Sequence, residues 1–208
     1  MAFVYVYVMD TMADWEVSYA MAELNSRRFF RKDAKELTVR TVSYSKGAVR
    51  SMGGLTILPD CTLDEVAAAR ENMLILPGSN QWNAPEHRAV LEKAKAFLQN
   101  GGAVAAICGA TVALAGTGVL DERPHTSNGA GFLGMFCPSY KGEKFYVDAP
   151  AVRDGNLITA SATGGLLMAK YILEYFSVFR EDTLENWYSY FNTGKAEYFF
   201  AMMETLKS

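Results

Sequence analysis

The chain has 208 residues, half of them apolar and 21% charged, with 20 Lys and Arg against 23 Asp and Glu for a formal net charge of −3. That length suits one well-buried domain. The charge balance lacks the basic excess of a nucleic-acid binder, and no apolar run nears the roughly 20 residues that a membrane-crossing helix needs.

Residues 3–9, FVYVYVM, are apolar on both faces and rich in β-branched and aromatic side chains, the mark of a strand covered on both sides in a parallel sheet. Lacking a basic flank and a small-residue cleavage site, the run reads as a strand and not a signal peptide. Asp14 is placed to cap a helix running to about residue 30. Leu37–Ser43 alternates as a second strand, and residues 49–58, with Gly53-Gly54, form a hairpin-like excursion. Residues 73–77 are a third buried strand that breaks at Pro77-Gly78-Ser79. Pro85 opens a helix to residue 100, in the first-turn position proline favours. Ala103–Ile107 is a fourth strand, running through Cys108-Gly109-Ala110 straight into a small-residue helix over 111–117. Strands over 147–153 and 157–160 flank the turn Asp154-Gly155-Asn156. A helix over 164–179 follows, then two aromatic-rich helical segments over 183–206.

Strands alternating with helices predict a doubly wound α/β sheet, with a site at the carboxyl ends of its strands, where loops 9–16, 77–80 and 108–110 fall. Strand order is not encoded in the pattern. Residues 1–208 read as one domain, with 181–208 as its helical C-terminal extension. The cysteines Cys61, Cys108 and Cys137 are far apart and odd in number. They fit neither a disulfide framework nor a C-x-x-C metal site, and they suit reduced thiols in a cytoplasm.

Cys108 carries the chemistry. A residue between a buried strand and a helix start is pushed clear of the backbone, beside unpaired amide N–H groups and the positive end of the helix dipole. For cysteine this predicts a depressed pKa and more thiolate at neutral pH. Gly109 permits the sharp backbone path. The run AICGAT thus has the shape for covalent catalysis, and also that of a cysteine buried as a small hydrophobe.

AAICGAT around Cys108, LILPGS at the end of the preceding strand, Glu16 after the first strand, and VRDGNLITASATGG near the C-terminal end resemble the ThiJ/PfpI family, of the class I glutamine amidotransferase-like superfamily, over roughly residues 1–180. The resemblance implies a flavodoxin-like, mostly parallel sheet sandwiched by helices. It implies a reactive Cys108 hydrogen-bonded by the Glu16 carboxyl, and an anion or oxyanion site built from the backbone N–H groups of Gly78, Ser79 and Gly109. It implies a homodimer, and an activity among those assigned to the family: peptidase, glyoxalase- or deglycase-like enzyme, chaperone or oxidative-stress sensor. A small-molecule substrate is the expected partner; no cofactor, metal, nucleic acid or membrane is expected. A carboxyl group beside a thiolate is either a repulsive charge or, when protonated, a donor to sulfur, and the two titrate as a pair. Glu16 also stands where first-turn acids are favoured without any function.

The chain departs from the family pattern at its histidines. Only His87 and His125 are present, and neither begins the H-x-E of the glutamine amidotransferases, so a Cys-His-Glu triad is not expected. Ala110 stands where PfpI-type peptidases carry a histidine. Thr126-Ser127-Asn128 replaces a T-T-H pattern, which makes Asn128 a pocket residue that donates or accepts a hydrogen bond but cannot take up a proton as a base. His125 lies at an odd offset from Asn128, which in a strand points it to the opposite face; it reaches the pocket only where the segment is not extended. Ser79 stands in place of the second glycine of a Pro-Gly-Gly turn. Trp82 walls the pocket or packs as an ordinary aromatic. His87, early in a helix, reads as a surface residue. Cys61, on an exposed-looking stretch, and Cys137 read as incidental. The aromatic tail is expected to bury against the domain or a second subunit.

Overall fold

In the computed structural model, which describes residues 1–207, nine strands follow in chain order: β1 (Ala2–Tyr7), β2 (Leu37–Ser43), β3 (Val49–Arg50), β4 (Thr56–Ile57), β5 (Cys61–Thr62), β6 (Met73–Leu76), β7 (Ala103–Ile107), β8 (Ala151–Asp154) and β9 (Leu157–Ala160). Seven of them make the main sheet in the order β5-β2-β1-β6-β7-β9-β8, parallel throughout except for β8, which runs antiparallel to β9. β3 and β4 pair as a separate hairpin. The strands β6, β7 and β9 are buried at every position, which explains their lack of polar alternation.

The helices are α1 (Asp14–Ser26), α2 (Arg88–Gln99), α3 (Gly109–Ala115), α4 (Phe132–Phe136), α5 (Gly165–Phe176), α6 (Glu181–Thr193) and α7 (Ala196–Thr205). They flank the sheet: α1 packs on α5, α2 and α3 lie against β7, and α6 joins α5 and α7. The inner order β2-β1-β6-β7-β9 is that of a flavodoxin-like sheet, whose switch point lies between β1 and β6. Loops leaving β1, β6 and β7 therefore converge at one end.

Several boundaries differ from the sequence expectation. α1 stops at Ser26 because Arg27 takes a left-handed conformation (φ 55°). Asp14 does not cap it; Ala13 holds the cap position, and the Asp14 carboxylate accepts instead from Gly53 N–H at 2.6 Å. A 3-10 turn, Pro85–His87, precedes α2. β8 begins only at Ala151, after Pro150, which cannot donate to a ladder. β5 and α4 have no counterpart in the sequence pattern. Cys61 belongs to β5 and is fully buried, so the exposed reading of its stretch was wrong.

Candidate active site

Cys108 is the elbow between β7 and α3. Its backbone sits at φ 57°, ψ −124°, a region that side chains other than glycine's avoid. Both neighbours fix it there: Cys108 N–H donates to Ala160 O at 2.9 Å, and its carbonyl accepts from Thr111 N–H at 3.0 Å. A Cβ on Gly109 would lie 3.3 Å from Ser79 O and 3.6 Å from Trp82, so glycine lets the two loops close without a shift of the Ser79 backbone. Two of the four non-glycine residues with positive φ among the described residues, Thr11 and Cys108, lie in this cluster of loops. The elbow is thus a held strain, and relieving it is measurable. Cys108→Gly is expected to be about 1 kcal/mol more stable than Cys108→Ala, raising the thermal midpoint by about 2–4 °C, the reverse of the usual glycine penalty. Calorimetry on the two variants checks it.

Glu16, in the first turn of α1, is 1% exposed. Its Oε2 accepts from Gly78 N–H at 2.6 Å, while Oε1 has no hydrogen-bond partner of good geometry. The Cys108 thiol is the other polar group acting on this carboxyl. A Cβ on Gly78 would lie 2.7 Å from Glu16 Oε2 and 3.0 Å from Cys108 Cβ. Carboxyl, glycine and cysteine are therefore packed together, and a side chain at this position would displace the Glu16 carboxyl. Burial pushes the Glu16 pKa up to about 7, against the pull of the Gly78 N–H and of the thiol.

Asn128 reaches the sulfur from the opposite loop: its Nδ2 donates to Cys108 Sγ at 3.3 Å. The amide orientation follows from Ala162 N–H, which donates to Oδ1 at 2.8 Å and leaves only the NH2 end to face the thiol. The Trp15 indole donates to Ala162 O at 3.4 Å on the same rim.

Two expectations need correction. Gly78 N–H is committed to Glu16 and is not free for an oxyanion; the amides that remain are Gly109 N–H, which acts on the sulfur, and Ser79 N–H, which has no acceptor among the described residues. The Ser79 hydroxyl is spent on the scaffold, donating to Asp10 O at 2.8 Å and lying 3.0 Å from Thr11 Oγ1. The thiol, secondly, is not depressed. Burial raises the Cys108 pKa, the Asn128 amide draws it back, and the Glu16 charge adds to the rise. α3 is only seven residues long, which limits the dipole at its N-terminus.

Neither histidine joins the site. His125 is buried between Arg123 O and Tyr140 OH, each 2.6 Å from a ring nitrogen, so both of its nitrogens are occupied. His87 is buried, not on the surface, because the 3-10 turn points it at Tyr7, whose hydroxyl lies 2.8 Å from Nδ1. Trp82 packs on Tyr7 and His87, donates to Pro77 O at 2.9 Å, and lines a groove of about 550 Å³ bordered by α2 and α3.

A flavodoxin-order sheet carrying a strained cysteine elbow, with a buried carboxyl at its switch point, defines the class: an elbow-cysteine α/β protein. The DJ-1/PfpI family model matches residues 2–175, and the chain belongs to that family. It is 47% identical over 203 residues to a Bacillus subtilis (strain 168) protein named "Uncharacterized protease YoaZ", covering 98% of this chain and 97% of the relative. To "Deglycase PfpI" of Pyrococcus furiosus it is 30% identical over 132 residues, 62% of this chain and 75% of the other. The crystal structure of a thiJ/pfpI family protein from Bacillus anthracis superposes with a TM-score of 0.95 at 47% identity, covering 98% and 97% of the two chains. The family match ends before α6 and α7, yet the two Bacillus relatives align along nearly the whole chain.

Proposed function

We propose that this protein is an elbow-cysteine enzyme, a cysteine-dependent hydrolase or a glyoxalase- or deglycase-like catalyst, acting on small carbonyl or amide compounds. The observation that carries it is the set of groups around one sulfur: a buried carboxyl, the Asn128 amide and the Gly109 N–H, with the unpaired Ser79 N–H on the neighbouring loop. In this reading the Glu16 carboxylate takes the thiol proton as Cys108 Sγ bonds to the carbonyl carbon. The displaced electron pair moves to the oxygen, which Gly109 and Ser79 N–H groups stabilise. With an aldehyde, Glu16 returns the proton to that oxygen and the product is a hemithioacetal. With an amide, Glu16 returns the proton to the departing nitrogen, and water then hydrolyses the thioester. Peptide hydrolysis is the less favoured version, because no histidine stands at the sulfur to serve as base.

The test is peptide-mapped mass spectrometry after exposure to a small 2-oxoaldehyde and to an activated amide. Adducts confined to Cys108, and absent in Cys108→Ala, are expected; adducts only on lysines, or spread evenly to Cys61 and Cys137, would overturn the reading. A second reading has one observation in its favour. The same amide donors suit the oxygens of a sulfinic acid, formed when two peroxide molecules oxidise the thiol in turn and release two waters. Peroxide alone, giving sulfinic acid at Cys108 while no carbonyl adduct forms, would select a redox sensor instead.

We further take the chain to work as a cytoplasmic homodimer. Three free cysteines support a reducing compartment, and no helix among the described residues is long and apolar enough to cross a membrane. Exposed Met52, Leu55 and Leu58 on the β3–β4 hairpin, beside a groove of about 540 Å³ along α1, support a protein-covered face. Light scattering should give twice the 22.9 kDa chain mass, and a monomer at micromolar concentration would refute it.

A further inference from the structure

Behind the elbow lies a pair of hydroxyls that the chemistry above does not use. Thr111, on the buried face of α3, donates from Oγ1 to the Cys108 carbonyl at 2.6 Å. Its only hydroxyl proton is thereby committed, so the second contact of Oγ1, with Ser127 Oγ at 2.6 Å, must have Ser127 as donor. Both residues are buried. A one-way chain results: Ser127 O–H to Thr111 Oγ1, and Thr111 O–H to Cys108 O. Its two ends are informative. One end is the backbone of the strained cysteine. The other is the residue immediately before Asn128, whose amide donates to the sulfur of that same cysteine. Sulfur and carbonyl of one residue are thus tied to two successive residues of one loop.

The loop has other anchors: Tyr146 OH donates to the Ser127 carbonyl at 3.4 Å and Thr126 Oγ1 to Ala149 O at 2.8 Å, neither of them a bond to α3. Thr126 N–H donates to Thr159 Oγ1 at 2.8 Å, and Asn128 Oδ1 accepts from Ala162. Beside the Asn128 amide on the sulfur, the hydroxyl pair is the side-chain hydrogen bond that ties this loop to α3, the helix that leaves the elbow.

We infer that Thr111 and Ser127 are positioning residues for the reactive thiol, holding the Asn128 amide in register with the Cys108 sulfur. The inference rests on the reading of Cys108 as the reactive group, but its mechanism is geometric and requires no particular substrate. Among the described residues, Glu16 of α1 is the one titratable group that acts on the sulfur from across the site; the approach on the loop side is Asn128 alone.

The experiment follows the alkylation rate of Cys108 by iodoacetamide as a function of pH, with peptide mapping to separate it from Cys61 and Cys137. Thr111→Val removes the hydroxyl at constant shape, and Ser127→Ala removes the donor. Each is expected to raise the apparent thiol pKa by about half a unit, about a threefold loss of thiolate below it. Thr111→Ser, which keeps the hydroxyl, should restore the wild-type profile. In an Asn128→Ala background, which loses the bond being positioned, Thr111→Val should add nothing further. A wild-type profile for both Thr111→Val and Ser127→Ala overturns the inference, as does an equal shift in the Asn128→Ala background. Thermal melts identify a variant that is merely misfolded, and Ser127→Ala then decides in its place. Alkylation needs no substrate, so absent turnover on carbonyls would sink the enzyme reading and leave this result standing. The converse outcome is equally distinct.

Discussion

Trp187→Ala is expected to lower the unfolding free energy by about 3–5 kcal/mol and the thermal midpoint by about 10 °C. Trp187 is the largest fully buried side chain in the molecule. Its ring packs on Phe191 at 5.3 Å, Phe179 at 6.2 Å and Tyr19 at 6.3 Å between centroids, so it joins α6 to α1. The indole N–H also donates to Glu23 Oε1 at 3.0 Å, in a carboxylate that is 1% exposed and otherwise held by Arg28. Truncation to alanine opens a cavity and takes a donor from a buried charge, which are two separate costs. Trp187→Phe separates them: it keeps most of the ring and should cost about 1–3 kcal/mol. A single cooperative melt, shifted as a whole, is the expected form, because the extension over residues 181–208 is read as part of one domain. A small early transition with the main one unmoved would show instead that α6 and α7 are a separable appendage.

How far such features are legible in the sequence depends on where the determining contact lies. β1, β6 and β7 are announced by their own composition, since a strand buried on both faces can hold nothing but apolar residues. β5 is two residues long and is specified from elsewhere: the Asp60 carboxylate accepts from both Thr41 N–H and Thr41 Oγ1, at 2.7 and 2.8 Å, and locks Cys61 into register beside β2. No local pattern reveals a strand made by its neighbour. The end of α1 fails for a similar reason, as Arg27 adopts a glycine-like conformation without being glycine.

The site divides in the same way. Cys108, Gly109 and Glu16 could be named because elbow, permissive glycine and acid are local or motif-borne. The roles of single atoms could not. That Gly78 N–H serves the carboxyl and not an oxyanion depends on a contact across 62 residues. That His87 is buried depends on Tyr7, across 80. Thr111 had a signal in its spacing, three residues past the elbow and thus able to bond the Cys108 carbonyl, whereas Ser127 becomes a partner only through the fold.

Glu16→Gln tests the site most directly, and it should stabilise the protein while simplifying the thiol. The ordinary carboxyl pKa of 4.5 rises to about 7 in the folded state because burial disfavours the charge. Between those values the folded chain keeps a proton that the unfolded chain releases. Stability is therefore full below the unfolded pKa and is lost as pH climbs through about 7, by as much as about 3 kcal/mol. Glutamine keeps an oxygen for Gly78 N–H and carries no charge, so the variant should match wild type in acid and exceed it by up to that amount at pH 8. Denaturant unfolding at both pH values reads this; equal stability at pH 8 would mean that the carboxylate is better solvated than its 1% exposure allows. The thiol should respond in step. In wild type, carboxyl and thiol share their protons and leave in two stages, the later one raised by the charge already formed. With glutamine the alkylation profile of Cys108 should collapse to a single step below the wild-type upper one. The carboxyl keeps one structural contact, accepting Gly78 N–H at 2.6 Å, and glutamine would keep that contact without the charge. Glu16 Oε1 has no hydrogen-bond partner among the described residues, and the Cys108 thiol is the other polar group that acts on the carboxyl. Stability given up at one buried residue is what the proposed reactive site would require, and the two measurements on Glu16→Gln test it together.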